Sequence, residues 1–326
     1  MRKTLFGLLC LPLLLLISSG SKAQDTVVVP GDSKFVLQVD LQAMRSSKVG
    51  GPLFEMATKA AIEEMGKGDK GDGLSLEKIK EFIGFDPLTE VQGIVVCASE
   101  FEKPEKSLLG MVRLKKTTGN IEGLLLGLPG YEKSDHRDYE IHSATPGDEG
   151  KVFGSIHKDK SGNNTLIIGA QKESVTQLLD SLDKVREDKS LKTVTLDSDR
   201  KVLASIQLLE IPTKELGKGP QANIANLLTS LVLSIQEDAD DLEIRGAMQA
   251  ATEKQADKIK QSFQGLAALL ELFASMDDEA SEDPEMKQVI EFVKQIKVTQ
   301  EGSSVKVRLR LPSSQISEMI QKELSK

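Results

Sequence analysis

The side chains best suited to chemistry in this sequence are its three histidines, which all fall within 22 residues. Alternation of polar and apolar residues predicts two neighbouring strands here, with Glu140 and His142 on the polar side of the first. Ser155 and His157 occupy the polar side of the second strand. If the strands pair as a hairpin through residues 146–148, these side chains converge on one face of a sheet. Such a group binds a metal ion or exchanges protons with a substrate, whereas the alternative is a set of exposed histidines on a solvated surface.

Other catalytic and ligand-binding motifs fail on their spacing. The glycine-rich stretch 66–73 lacks three of the oxygen ligands that a calcium-binding loop requires. Four Ser-x-x-Lys matches occur without the companion Ser-Asp-Asn and Lys-Thr-Gly motifs. The acidic segment 277–283 is interpreted as a solvated loop, with a loose calcium site as the alternative. The sequence therefore predicts no catalytic residue and no cofactor.

The composition argues against several classes of partner. The formal net charge is −8, and no sustained basic block is present, which disfavours nucleic acids and anionic membrane surfaces. The chain has no tryptophan and only two tyrosines, so sugars and bases find few stacking platforms. A protein partner is the remaining expectation.

The first 23 residues have the pattern of a cleaved secretory signal peptide. Arg2 and Lys3 precede an apolar run over residues 5–17, and Ser21 and Ala23 stand at the −3 and −1 positions of the expected cleavage site. The apolar run is shorter than the roughly 20 residues that span a bilayer, so we expect no stable membrane insertion after cleavage. The mature chain would carry a net charge of −11 and would be periplasmic or extracellular.

The patterns of the mature chain predict an α+β fold of antiparallel sheets with helices on one face. Two alternating strands followed by an amphipathic helix recur over residues 94–126, 152–185, 231–274 and 296–324. In residues 305–311, for example, apolar side chains alternate strictly with basic ones. One sheet face is therefore expected to pack against helices and the other to be largely solvated.

A sequence echo predicts an internal duplication. Residues 31–41 align without gaps on residues 198–208, and each copy opens a half that contains two strand–strand–helix units. A short charged stretch at 187–190 marks the expected boundary. We therefore expect a first half over residues 24–190 and a second half over residues 191–326, packed as one unit or as two.

The N-terminal copy also resembles a known group of proteins. Residues 29–47 read Val-Pro-Gly-Asp-Ser-Lys-Phe-Val-Leu-Gln-Val-Asp-Leu-Gln-Ala-Met-Arg-Ser-Ser. This segment resembles the opening of uncharacterised exported proteins from planctomycetes and similar bacteria, in which a Pro-x-Asp turn leads into a strand that ends Val-Asp-Leu. The resemblance implies a bacterial envelope or extracellular location, and it brings no reaction or site residue with it.

These observations favour a non-catalytic binding or structural module of the bacterial envelope. We expect it to contact an unknown envelope or extracellular protein through its polar sheet face, and a self-associating scaffold is a further possibility. The alternative is a hydrolase with a metal or acid–base site around His142 and His157, with Glu140 beside them. The candidate contact residues on the polar face are Arg113, Lys115, Glu243, Arg245, Lys306, Arg308 and Arg310.

Overall fold

The computed structural model describes residues 26–66, 80–81, 84–115, 128–145, 150–159, 162–183, 191–195, 201–211, 220–238, 240–276 and 291–324. The predicted signal peptide, residues 1–23, lies outside these ranges. So do residues 67–73 of the glycine-rich stretch, the expected helix at 120–126, the turn at 146–148, the boundary at 187–190 and the acidic segment 277–283.

Strands hold more of the described residues than helices do. In chain order they are β1 (Thr26–Pro30), β2 (Phe35–Asp40), β3 (Val91–Ala98), β4 (Leu109–Leu114), β5 (Glu132–His136), β6 (Tyr139–Ala144), β7 (Val152–Lys158), β8 (Asn164–Gly169), β9 (Leu191–Thr195), β10 (Lys201–Leu208), β11 (Leu228–Asp238), β12 (Asp241–Ala250), β13 (Lys297–Glu301) and β14 (Ser304–Pro312). Twelve of them form one antiparallel sheet in the order β13-β14-β12-β11-β10-β2-β3-β4-β8-β7-β6-β5, while β1 and β9 pair as a separate two-stranded ribbon.

Fewer residues lie in helices. These are α1 (Leu41–Arg45), α2 (Gly50–Gly66), α3 (Pro87–Glu90), α4 (Lys172–Leu182), α5 (Pro220–Ala225), α6 (Glu253–Met276) and α7 (Ser313–Leu324). Local chemistry explains where some of them begin. Asp40 ends β2 and caps α1, because its carboxylate accepts a 2.6 Å hydrogen bond from the backbone N–H of Ala43. No helix in the described ranges is both long and apolar enough to cross a lipid bilayer.

The strand register defines two faces of the large sheet. Directly opposed residues of antiparallel neighbours point to the same side. We call the side that carries Gln38, Ser155 and Ser234 the front face, and the opposite side the back face. Each face is packed against different elements.

Helices pack against parts of both faces. On the front face, α4 packs its fully buried Val175, Leu178 and Leu179 against β2–β8, together with the ribbon residue Val29. Burying each of these leucines contributes about 1.5–3 kcal/mol relative to an exposed position. On the back face, α1, α2 and α7 pack over the centre of the sheet, and α6 packs over β12–β14.

The predicted fold class is therefore wrong. The sequence was expected to form antiparallel sheets with helices on one face, built from repeated strand–strand–helix units, whereas one twelve-stranded sheet dominates and carries helices on both faces. The helices do not repeat as one layer, since α4 lies on the front face and α6 and α7 lie on the back. The physical reason is that β2 and β10, which are far apart in sequence, pair directly and make the sheet continuous. Alternation within a strand contains no information about such a pairing.

Candidate functional site

A groove on the front face of β11–β14 is lined mainly by polar and charged side chains. Its cavity volume is about 450 Å³, within the range of about 300–1,000 Å³ that is usual for ligand sites. We call this surface the basic groove and define it by Ser234, Gln236, Glu243, Arg245, Lys297, Lys306, Arg308 and Arg310.

The two-residue period of the strands places these charges together. Lys306, Arg308 and Arg310 occupy alternate positions of β14, so they share a face. In the register of the sheet, Arg308 lies directly opposite Arg245 on one neighbouring strand and directly opposite Lys297 on the other. Like charges in directly opposed positions destabilise a sheet. The basic groove therefore concentrates positive charge in an otherwise acidic chain.

Glu243 partly compensates this charge from within the sheet. Its side chain is completely buried, and its carboxylate accepts hydrogen bonds from Arg245 and, at 2.8 Å, from Arg310 Nε. Arg308 Nε lies 2.9 Å from the same carboxylate. Burial alone would raise the pKa of Glu243, but the guanidinium groups outweigh it and hold this pKa below its ordinary value. Glu243 is therefore ionised at neutral pH and fixes the positions of three guanidinium groups.

The floor of the basic groove contains buried polar groups. Gln236 is only 1% exposed, and its Nε2 donates a 3.1 Å hydrogen bond to Ser234 Oγ. Its Oε1 has no hydrogen-bond partner in the described part of the chain, and the same holds for Ser205 Oγ and Gln207 Nε2 on the neighbouring strand. Leaving a buried polar group unpaired costs about 1–3 kcal/mol. Gln236 Oε1 is thus a buried acceptor without a donor among the described residues, in a residue that lines the groove.

The structure brings together five of the seven predicted contact residues and separates two. Glu243, Arg245, Lys306, Arg308 and Arg310 all belong to the basic groove. The remaining two lie on or just beyond β4, five strand spacings from β12, which corresponds to about 24 Å across the sheet.

Arg113 and Lys115 have environments of their own. The guanidinium group of Arg113 lies over Gly93. A β-carbon added at Gly93 would be only 2.6 Å from Arg113 Nη2, so the absence of a side chain at Gly93 makes room for this guanidinium group. Lys115 is exposed, and its backbone N–H donates to the carbonyl of Glu90. Neither residue contributes to the basic groove.

The predicted histidine site is not formed. His142 lies directly opposite Gly154, which places it on the back face together with Glu140, whereas His157 lies on the front face. Both histidines are buried rather than solvated, at 4% and 7% exposure. The prediction of convergence is wrong because a register change of one residue moves a side chain to the other face of a sheet.

His142 and Glu140 each contact another side chain on the back face. The ring nitrogen Nδ1 of His142 is 2.9 Å from the hydroxyl of Tyr131, and Glu140 forms an ion pair with Lys133. His142 also lines a cavity of about 200 Å³ on the back face, whose remaining lining includes Ile156 and Ile168. This cavity is largely apolar, so it supplies no second group for acid–base chemistry.

A polar cluster between α4 and strands β5–β7 was missed by the sequence reasoning. Asp180 Oδ1 lies 2.9 Å from His136 Nε2, and Asp183 Oδ1 lies 3.0 Å from His157 Nε2. The Tyr139 hydroxyl donates a hydrogen bond to the carboxylate of Asp183. The pKa of Tyr139 is raised above its ordinary value, mainly by burial and further by this carboxylate. The sequence signal for this cluster was the three-residue spacing of Asp180 and Asp183, because residues three apart lie on the same side of a helix.

This cluster anchors the helix. Its hydrogen bonds join the C-terminal turn of α4 to the strands beneath it. Within the described ranges, no group of three or more His, Cys, Asp or Glu side chains is placed to hold a metal ion.

Comparison with known proteins supplies only distant structural matches. No protein-family model matches the chain, and no curated protein sequence matches it significantly. Crystal form I of a protein named TP0453 aligns at 9% identity and a TM-score of 0.37, over 91% of this chain and 98% of that chain. Crystal form III aligns at 8% identity and a TM-score of 0.41, over 90% of this chain and 98% of that chain. Likeness at this level carries no argument about activity, ligand or location.

Proposed function

We propose that this chain is an exported bacterial protein that acts as a non-catalytic binding module, and that the basic groove is the surface with which it contacts another protein of the envelope or the extracellular space. The observation that carries the proposal is the row Lys297, Arg308 and Arg245, three cations in directly opposed positions of neighbouring strands. An arrangement that repels itself in the free protein is stabilised when an anionic group lies over it.

The electrostatics of the whole chain support this assignment. The formal net charge is −8, so the protein as a whole repels acidic molecules. The basic groove, in contrast, carries five cationic side chains against the carboxylates of Glu243 and Glu301. The basic groove therefore offers an acidic partner an attractive surface in a chain of negative net charge, which favours binding through this surface.

The export part of the proposal depends on the sequence. The signal-peptide pattern of residues 1–23 and the resemblance of residues 29–47 to exported bacterial proteins both support it. The alternative hydrolase has lost its motivating observation, because His142 and His157 lie on opposite faces of the sheet. We therefore do not pursue it as a second function.

A crosslinked pull-down from the native cell envelope tests the proposed function. Lys297→Glu combined with Lys306→Glu reverses two charges of the basic groove without removing any ion pair to Glu243. The matched control reverses two exposed lysines of α6, Lys254 and Lys258, which lie on a helix of the back face. We expect a stoichiometric partner with wild type and control, and about tenfold less of it with the groove variant.

Two readouts decide the outcome. Circular dichroism and thermal melting establish that all three proteins are folded before the pull-down is compared. Equal recovery of the partner with the groove variant and with the control, or no specific partner with folded wild type, would contradict the proposed function.

A further inference from the structure

We infer that the basic groove recognises an extended acidic peptide segment that carries a carboxylate at every second residue. This inference rests on the proposed function and specifies the chemistry of the partner. It is carried by the spacing of the cations, by a buried acceptor in the groove floor and by the absence of aromatic side chains among the described residues of its lining.

The spacing of the cations matches an extended peptide. Lys306, Arg308 and Arg310 lie two residues apart along β14, which corresponds to about 6.6 Å between neighbouring side chains. An extended peptide repeats its own side chains on one face at the same interval of about 6.6 Å. Carboxylates at alternate residues therefore meet successive cations, whereas contiguous carboxylates point alternately toward and away from the sheet.

Cations also lie side by side across the strands, and not only along β14. Arg245 and Lys297 flank Arg308 in register on the two neighbouring strands. Only Arg245 and Arg308 of this row contact Glu243. Lys297 has no ion-pair partner among the described residues, so it is available to a carboxylate at the open side of the groove.

Gln236 distinguishes a peptide from a simple anion. Gln236 lines the groove, and its buried Oε1 has no hydrogen-bond donor among the described residues. A fully ionised carboxylate or phosphate ester has no proton to donate to this atom, whereas a peptide offers backbone N–H groups along its whole length. We therefore assign Gln236 as a specificity-determining residue that accepts a hydrogen bond from the peptide.

The lining of the groove disfavours sugars and nucleic acids. None of the described residues that line the cavity is aromatic. Sugars and unstacked bases are usually held on aromatic platforms. A peptide with acidic and small polar side chains needs none.

Fluorescence anisotropy with designed peptides tests the inference on the mature protein. The probe is a short labelled peptide with aspartate alternating with threonine. Two comparison peptides have asparagine in place of aspartate, or the same composition with all aspartates contiguous. We expect the alternating peptide to bind about tenfold more tightly than the asparagine peptide and about threefold more tightly than the contiguous one, with an affinity that falls as salt rises.

Variants separate charge recognition from the acceptor. We expect Lys297→Gln, which removes no ion pair to Glu243, to weaken binding about fivefold and to reduce its salt dependence. We expect Gln236→Leu to weaken binding about fivefold while leaving the salt dependence unchanged, because no charge is lost. Lys258→Gln on α6 is the matched control and should bind like wild type.

Several results would overturn the inference. It fails if the asparagine or the contiguous peptide binds as tightly as the alternating one, or if inorganic phosphate displaces the probe at concentrations equal to those of unlabelled peptide. It also fails if folded Gln236→Leu binds like wild type. If the charge-reversal variant loses its envelope partner while no acidic peptide binds, the proposed function stands and only this inference falls.

Discussion

Replacing Glu243 with glutamine should destabilise the protein measurably, because a buried carboxylate holds three guanidinium groups in place. Removing one partner of a buried ion pair costs about 3–5 kcal/mol when the other is left without compensation. Two of the three arginines, Arg308 and Arg310, are 48% and 44% exposed, so water can solvate them in the variant. Arg245 is only 17% exposed and loses most. We therefore expect a loss of about 2–3 kcal/mol in the free energy of unfolding.

Urea denaturation near neutral pH measures this loss. The change should appear as a lower midpoint at an unchanged slope, since the variant exposes the same surface on unfolding. Glu301→Gln is the matched control, because Glu301 pairs with Lys306 at 2.9 Å while remaining 74% exposed. We expect the control to lie within about 0.5 kcal/mol of wild type.

The pH dependence provides an independent check. The pKa of Glu243 lies below its ordinary value of 4.5, so its carboxylate stabilises the folded state fully above that value. This contribution is lost as the pH falls from the ordinary value through the folded-state pKa. The difference between wild type and Glu243→Gln should therefore be constant near pH 7 and should shrink below pH 4.5. A variant within about 0.5 kcal/mol of wild type at pH 7, or a difference that grows on acidification, would refute the role assigned to Glu243.

Two further predictions concern α4 and its contacts. In Asp183→Asn, the pKa of the Tyr139 phenol should be lower than in wild type but still above its ordinary value, because burial remains while the carboxylate charge is lost. Phenolate absorbance measures this titration. Unchanged titration of both tyrosines would contradict the contact. Leu178→Ala should lower the free energy of unfolding by about 2–5 kcal/mol, because this fully buried side chain fills the front-face core. The control is Thr176→Ala at a partly exposed position of the same helix. Equal urea midpoints for the two variants would show that α4 does not pack as described.

The sequence determined the positions of the strands and the polarity of their sides. Alternation predicted strands at 152–158 and 305–311, and β7 and β14 lie there. The same alternation placed Lys306, Arg308 and Arg310 on one face of β14. These features are local, because the side-chain period of two residues follows from the pleat of a single strand.

Tertiary structure decided which strands became neighbours and in which register. His142 and His157 were separated by the register of β6 against β7, which alternation within each strand does not encode. The burial of Gln236 could not be predicted for a related reason. A glutamine on the polar side of an alternating strand is expected to be solvated, whereas the two neighbouring strands bury it here. The continuous sheet likewise depends on hydrogen bonds between β2 and β10, whose residues lie more than 160 positions apart in the chain. Backbone hydrogen bonds form between any two strands, so long-range packing, and not the pattern of one segment, selected these neighbours.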